Sequence, residues 1–327
     1  MVMEERTGYH KRMSDHEVII AGAGGIIGQR LIEALLEGGG APRITALTRR
    51  ADARWPDGVA SFVWNPAAAR EGDEEALAAL AGRLDGAAAL VNLAGSSIAA
   101  GRLDAAHLAR VKGSRIDAAT TLLAAARRAG TPPAVWLQGS AVGLYGDRGD
   151  ELLTEASAPG DPARDVLVPI ALAWEASAAP AAELTRLVTA RIGVVFDRDA
   201  EAWRRLLLPV RLFAGGPLGS GRQWMPWISG RDVAGALVWL METPTAHGAY
   251  NLTAPEPARQ IDVTRAAARA LRRPAWLPAP AFALRLALGR VADALLLSSQ
   301  RAIPERLLDA GFGFEDRTIE GAVGELV

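Results

Sequence analysis

The sequence predicts an α/β protein: a Rossmann-type, doubly wound parallel sheet with a smaller, sequence-discontinuous C-terminal lobe. Three observations carry this. Short apolar runs recur at Val18–Ala21, Ile44–Thr48, Ala88–Leu93, Val135–Gln138 and Leu187–Ile192, and uninterrupted runs of this length mark strands buried on both faces. Ile27–Glu37 and Ser114–Arg128 carry helical periodicity between them, and strands spaced by helices build a parallel sheet through crossovers. After about Asp197 the pattern breaks up into glycine- and proline-punctuated segments, which sets a second lobe apart.

In chain order, residues 1–15 read as a polar tail, with neither a signal peptide nor a membrane anchor in it. Residues 16–200 read as the sheet domain, and 224–255 return to it. Gly38-Gly39-Gly40 is expected to end the first helix, because glycine accepts the positive φ that stops helices. Within Leu206–Arg222, the glycines around Pro217 predict a tightly turned loop. Asp232–Met241 reads as a helix and Ala249–Leu252 as a further strand. Pro274–Pro280 then leads into an apolar helix expected over Phe282–Leu297. The lobe comprises 201–223 and 256–327.

Composition narrows the function. Half of the 327 residues are hydrophobic and the formal net charge is −1, so there is no electrostatic reason to seek nucleic acid or an anionic membrane. No apolar run is long enough to span a bilayer, and the cytoplasm is the expected location. Without cysteine, thiolate chemistry is excluded, and the four scattered histidines predict no metal site. Lysine occurs only at Lys11 and Lys112, so any catalytic lysine is one of these.

The strongest local signal is VIIAGAGGIIGQRL, Val18–Leu31. Gly22, Gly25 and Gly28 follow a strand and open a helix, the context in which such a loop binds a dinucleotide. The loop brings backbone close to a pyrophosphate, and the helix N-terminus offers free N–H groups to the anion. Gly22, Ala23, Gly24, Gly25, Ile26, Ile27 and Gly28 are therefore expected at the cofactor; the bland alternative is a glycine-rich turn without a ligand. The second strand ends in Thr48, Arg49 and Arg50, where an NAD site usually carries an acidic residue for the ribose 2′-hydroxyl. Guanidinium groups suit a 2′-phosphate instead, so NADP (NADPH) is the expected cofactor; Asp52 falls too late to act as the acidic reader.

Further segments resemble the extended short-chain dehydrogenase/reductase superfamily. Asn92-Leu93-Ala94-Gly95 is similar to its N-x-A-G segment, and Gln138–Gly146 (QGSAVGLYG) to the serine-bearing strand end of its epimerase/dehydratase branch. GGPLGSGRQWMPWISGRD (Gly215–Asp232), YNLTAPEP (Tyr250–Pro257) and SQRAIPERLLDAGFGF (Ser299–Phe314) look like the SDR39U1-like epimerase family, which has its own short C-terminal domain. The resemblance implies that Asn92, Leu93, Ala94, Gly95 and Gly139 border the cofactor. It also leads us to expect the Ser114-Arg115 pair, with Arg115 on cofactor phosphate or on an acidic substrate group. Homodimers are common among such relatives, so a homodimer is an expected assembly.

Members of the superfamily use a serine, a tyrosine and a lysine for proton transfer and orientation. Ser140 matches the serine. The Tyr-x-x-x-Lys positions fall at Leu167 and Ala171, and no tyrosine or lysine occurs between Gly149 and Ala249. Tyr145 is the substitute candidate for catalysis, and Lys112 reads more simply as solvated helix face. Arg191 is expected to point into the cleft beside the cofactor. Arg222 and Gln223 are expected on a loop over the substrate, and Trp224 and Trp227 in the cleft wall. Ser229 stands where relatives carry a histidine, and Asp232 is expected to cap the following helix. The expected function is an NADP(H)-dependent oxidoreductase or epimerase for a small carbonyl or hydroxyl compound. A non-catalytic NADP(H) sensor and a redox-neutral lyase or isomerase are the alternatives.

Overall fold

A computed structural model describes residues 16–38, 41–98, 100 and 103–327. The polar tail expected over 1–15, and Gly39 and Gly40 of the expected helix stop, lie outside the described residues. Seven parallel strands form the central sheet: β1 (Glu17–Ala21), β2 (Arg43–Thr48), β3 (Val59–Val63), β4 (Ala89–Asn92), β5 (Val135–Ala141), β6 (Arg186–Ile192) and β7 (Gly248–Leu252). Their order is β7-β6-β5-β4-β1-β2-β3. Ala21 at the end of β1 lies level with Leu47 of β2 and Asn92 of β4. The strand order reverses at β1, and crevices at the carboxyl ends of strands form where this happens.

The strands alternate their side chains between two cores. Val18 and Ile20 of β1 face α1 (Ile26–Glu37), whose Leu31, Ile32 and Leu35 are buried there. Ile19 and Ala21 face the other way, toward α2 (Glu74–Leu84) and α3 (Ala105–Ala126), which bury Leu80, Leu84, Ala118 and Leu122. Each large aliphatic side chain buried in this way stabilises the fold by about 1.5–3 kcal/mol. Helix α4 (Val168–Ala178) follows β5 in the chain, and α5 (Glu201–Arg211) follows β6. Helix α6 (Gly230–Glu242) joins α1 in the first core through Val233, Leu237 and Leu240.

A third core forms the lobe. Trp203 and Leu207 of α5 meet Phe196, Trp227, and Val263 and Ala267 of α7 (Gln260–Leu271). Past α8 (Ala281–Leu288), Ile319 and Val323 of α9 (Ile319–Leu326) close this core. The stretch expected to belong wholly to the lobe is shared: Leu307, Phe312 and Phe314 pack in the first sheet core.

Several boundaries differ from expectation for local physical reasons. Helix α3 begins nine residues early, at Ala105 instead of Ser114, because the Asp104 carboxylate accepts from the His107 N–H at 2.7 Å and caps it. The helix expected over Phe282–Leu297 is broken: α8 ends at Leu288, Gly289 turns at φ 60°, and Ala292–Leu297 winds as a separate π-helical segment. Helix α1 does stop at Glu37, but Gly38 is extended (φ −65°, ψ 131°) rather than left-handed. Leu206–Arg211 belong to α5, which carries Pro209 inside it. Strand β3 is an edge strand with mostly exposed side chains, so it lacks the apolar run by which the inner strands are read.

Candidate functional site

A cleft of about 600 Å³ lies at the strand-order reversal, lined by Gly22, Gly24, Gly25, Thr48, Arg49 and Arg50 on one side. Leu93, Ala94, Gly95, Ser96, Ser114 and Asp117 line the other. The glycines divide into two kinds. At Gly22 (φ +85°) a Cβ would meet the Leu93 backbone at 2.6 Å, and at Gly28 it would meet Ala23 Cα at 2.6 Å; these two permit close packing of strand, turn and helix. Gly24 and Gly25 have no such collision, with nearest neighbours at 3.9 and 3.4 Å, and they leave backbone bare toward the cleft. Ala23, Ile26 and Ile27 turn their side chains into the cores, so of these residues only the backbone faces a ligand. Helix α1 starts here with no side-chain cap and no acid in its first turn, leaving its positive end for an anion.

Beyond β2, the Arg50 backbone N–H donates to Thr48 Oγ1 at 3.1 Å and fixes the turn. The Arg50 guanidinium is already engaged, donating to both Asp52 oxygens at 3.0 and 2.8 Å. Arg49 is exposed, lines the cleft, and has no partner among the described residues. Asp52 is thereby occupied as well as late in sequence. Asn92 is fully buried; its Nδ2 donates to Gln138 Oε1 at 3.0 Å and its Oδ1 accepts from the Ala94 N–H at 3.2 Å. It shapes the wall Leu93–Gly95 without lining the cleft. An arrangement of bare glycine backbone, a free helix N-terminus and a basic strand end fits a dinucleotide with an extra phosphate on its ribose.

Neither candidate for catalysis lies open. The Ser140 hydroxyl, 2% exposed, donates to Glu175 Oε1 at 2.7 Å. Tyr145 is fully buried; its hydroxyl donates to Asn251 Oδ1 at 2.7 Å and accepts from Arg191 Nη1 at 3.0 Å. Burial pushes its phenol above the ordinary value although Arg191 works against this. Arg191, expected beside the cofactor, instead grips both oxygens of Glu175 at 2.9 and 3.1 Å. These residues form one closed internal network. Its hub, Glu175, has no signal in the sequence, because its partners come from β5 and β6. Lys112 is exposed and lines neither cleft nor pocket; Lys11 lies outside the described residues.

A second cavity, of about 250 Å³, adjoins the network. Leu167, Ile170, Ala171 and Trp174 of the α4 region form one wall, with Ala141, Val142 and Gly143 after β5 beside them. The expected tyrosine and lysine positions therefore do face a pocket, with apolar side chains in both. Arg115 also lines this pocket rather than the larger cleft, which takes its neighbour Ser114. Its Nη1 donates to the carbonyls of Ser96 (2.9 Å) and Val111 (3.0 Å), and its guanidinium carbon lies 4.7 Å from the centre of the Trp174 ring. Burial pushes the Arg115 guanidinium down to about 10. Gly139 lines neither space; a Cβ there would stand 3.1 Å from the Trp174 ring, so this glycine admits the indole.

The residues expected around the substrate are rearranged. Of the two tryptophans expected in the wall, Trp224 lines the pocket, whereas Trp227 is 1% exposed and stacks on Phe196 in the lobe core, 5.9 Å between ring centres. Gln223 is buried, and its Nε2 donates to the Leu218 and Leu296 carbonyls at 3.0 and 2.8 Å, tying the glycine loop to the π-helical segment. Arg222 is exposed, away from the pocket. Ser229, not Asp232, caps α6 by accepting from the Asp232 N–H at 3.2 Å. The Asp232 carboxylate accepts from the Glu315 and Asp316 N–H groups, each at 2.9 Å, and Arg231 donates to both Asp316 oxygens at 2.6 Å, so both residues anchor the C-terminal segment.

Comparison with known proteins agrees with this arrangement. The profile of the NAD dependent epimerase/dehydratase family matches residues 18–166, and a domain of unknown function matches 279–326. An epimerase family protein of Mycobacterium bovis is 36% identical over 95% of this chain and 98% of its own. The human epimerase family protein SDR39U1 is 31% identical over 95% of this chain and 99% of its own. A crystal structure of human SDR39U1 (isoform 2) with NADPH superposes with a TM-score of 0.82 at 31% identity, covering 95% of this chain and 98% of that one. The chain belongs to the NAD dependent epimerase/dehydratase family, in its SDR39U1 branch.

Proposed function

We propose that this protein binds NADP(H) in the larger cleft and acts in the cytoplasm as an oxidoreductase or epimerase on a small carbonyl or hydroxyl compound held in the smaller pocket. The observation that carries the reading is Arg49: an exposed guanidinium at the lip of the cleft, with no partner among the described residues, where an NAD site would place a carboxylate. The α1 N-terminus and the bare backbone of Gly24 and Gly25 would hold the pyrophosphate. The NADPH bound to human SDR39U1 supports the choice of nucleotide. When bound, the nicotinamide supplies or accepts a hydride.

The chain's own part in the chemistry is positioning. Leu167 and Ala171 offer no proton, and the hydroxyls of Ser140 and Tyr145 are committed within the network around Glu175. Ser140 acts as a positioning residue, holding Glu175 and through it Arg191 under the pocket. Solvent supplies the proton at the substrate oxygen, and turnover is slower by the factor of about 10²–10⁴ that a placed acid–base contributes. The same apolar wall favours a second reading, an NADP(H) sensor without turnover.

Titrating the full chain with NADPH and NADH by cofactor fluorescence, then following bound NADPH absorbance with a carbonyl library, separates these readings. NADPH is expected to bind more tightly than NADH and to be oxidised by a member of the library. Failure of both nucleotides to bind overturns both readings. Tight NADPH binding that no carbonyl compound discharges leaves the sensor.

A further inference from the structure

The smaller pocket carries hydrogen-bond donors that nothing among the described residues satisfies. The Trp174 indole N–H and the Ser298 hydroxyl are both buried without a partner among the described residues, and both side chains line this cavity. Trp174 is only 7% exposed. A buried polar atom left unmet costs about 1–3 kcal/mol, so native folds rarely leave such atoms where no ligand or water answers them. Among the described residues, Arg115 is the single charged one lining the pocket. No carboxylate pairs with it among the described residues; it spends only Nη1, on two backbone carbonyls. Arg191, by contrast, has its carboxylate, Glu175, built in.

We propose that this pocket recognises a small monocarboxylate with an apolar body, Arg115 pairing with the carboxylate while Trp174 Nε1 and the Ser298 hydroxyl donate to the ligand's oxygens. This rests on the reading of the pocket as the substrate site beside an NADP(H) cleft. Val142, Leu167, Ile170, Ile192 and Leu296 form the surface against which the body packs. The volume, about 250 Å³, lies below the roughly 300–1,000 Å³ of sites for drug-sized ligands, so a nucleotide sugar does not fit it. One guanidinium in an otherwise apolar cavity balances one negative charge, and its planar fork matches a carboxylate.

Benzoylformate and its methyl ester share one body with and without the charge, and their affinities for the full chain can be compared by calorimetry, alone and with saturating NADPH. Benzoylformate is expected to bind at least about tenfold more tightly than the ester, and R115Q to level the two. W174F keeps the ring and removes the N–H; it is expected to weaken benzoylformate roughly threefold to tenfold while moving the ester less. Should R115Q fail to fold, the acid-to-ester ratio in the wild type and its response to W174F still decide. Equal affinity for acid and ester overturns the proposal, as does tighter binding of phenyl phosphate than of benzoylformate. Failure of both probes on a chain that binds NADPH overturns it too, while the nucleotide reading stands. A chain that binds benzoylformate but neither nucleotide keeps the carboxylate site and refutes the NADP(H) reading.

Discussion

The two cavities beside the sheet are built on opposite plans. The larger presents bare backbone and basic side chains: Gly24 and Gly25 leave peptide groups open, α1 starts uncapped, and Arg49 has no partner among the described residues. The smaller is walled by Leu167, Ile170, Ala171 and Val142, with the polar side chains among the described residues being Arg115, Trp174, Trp224, Ser298 and Gln300. One is shaped to take a large anion by its backbone, the other a small molecule by its apolar surface and a few fixed donors. The difference shows where a fold tolerates change. The backbone cleft depends on residues that no side chain can replace, whereas the pocket carries aliphatic side chains, Leu167 and Ala171, at the positions where the family resemblance implies a proton-transfer pair.

If that contrast is right, the largest effect comes from the cleft's packing glycines. Gly22→Ala puts a Cβ 2.6 Å from the Leu93 backbone at a positive φ, and should cost at least about 2–4 kcal/mol in thermal unfolding. Gly24→Ala, with open space around its Cβ, should leave the melting curve in place and weaken nucleotide binding. Equal melting of the two variants would erase the distinction between packing and cleft glycines.

Next in size is Arg49→Ala. A charge-assisted contact to a 2′-phosphate is worth about 1.5–3 kcal/mol, so NADPH affinity should fall roughly tenfold to a hundredfold with NADH unmoved. Equal losses for both nucleotides would take Arg49 out of the phosphate contact and weaken the case for NADP over NAD.

A smaller effect is expected at the hinge between sheet domain and lobe. Arg30 of α1 donates to both oxygens of Asp197 at 2.7 and 2.8 Å. Burial opposes the Asp197 charge, but the Arg30 pairing, the Asp199 N–H and the nearby Arg198 charge together outweigh it and hold the carboxyl below its ordinary range. A depressed carboxyl contributes stability that is present above its unfolded value and lost as pH falls through its folded one. The wild type should therefore keep this contribution, roughly 1–2 kcal/mol for a partly exposed pair, down to about pH 4. Asp197→Asn should lower stability at pH 7 and show less acid-induced loss below pH 4. Parallel curves for the two proteins would remove the pair from the account.

The smallest change is Ser140→Ala, about 1–1.5 kcal/mol of stability from one hydrogen bond to Glu175, read in a urea melt. The same variant should leave NADPH affinity unchanged. A fall of a hundredfold in turnover, measured once a substrate is in hand, would return Ser140 to the chemistry.

Much of the cleft was legible because it is local. The glycines and the strand before them are adjacent in sequence, and Arg49 directly follows the next strand, so both line the cleft from positions that the sequence alone sets side by side. The pocket was legible only through what it lacks, the tyrosine and lysine at Leu167 and Ala171. Trp174 reads in the sequence as ordinary core; its unmet N–H exists only because β5, α3 and residues 294–300 meet around it. Arg191 and Tyr145 were placed near the chemistry for sound reasons, since strand ends supply active sites in such folds. Glu175 and Asn251, contributed by distant segments, close them into an internal network instead. Trp227 follows the same logic: only the fold shows that Phe196 and the lobe core claim it.

The positions of the lining residues also set a timetable. Every residue lining the larger cleft lies at or before Ala118, whereas the smaller pocket needs Ala294 to Gln300. During synthesis the nucleotide's lining is therefore complete long before the ribosome has made the pocket's last wall, and the Asp232 carboxylate waits for the amides of Glu315 and Asp316. A nascent chain that meets NADPH can therefore do so with the cleft's lining already made, before residues 294–300 have left the exit tunnel.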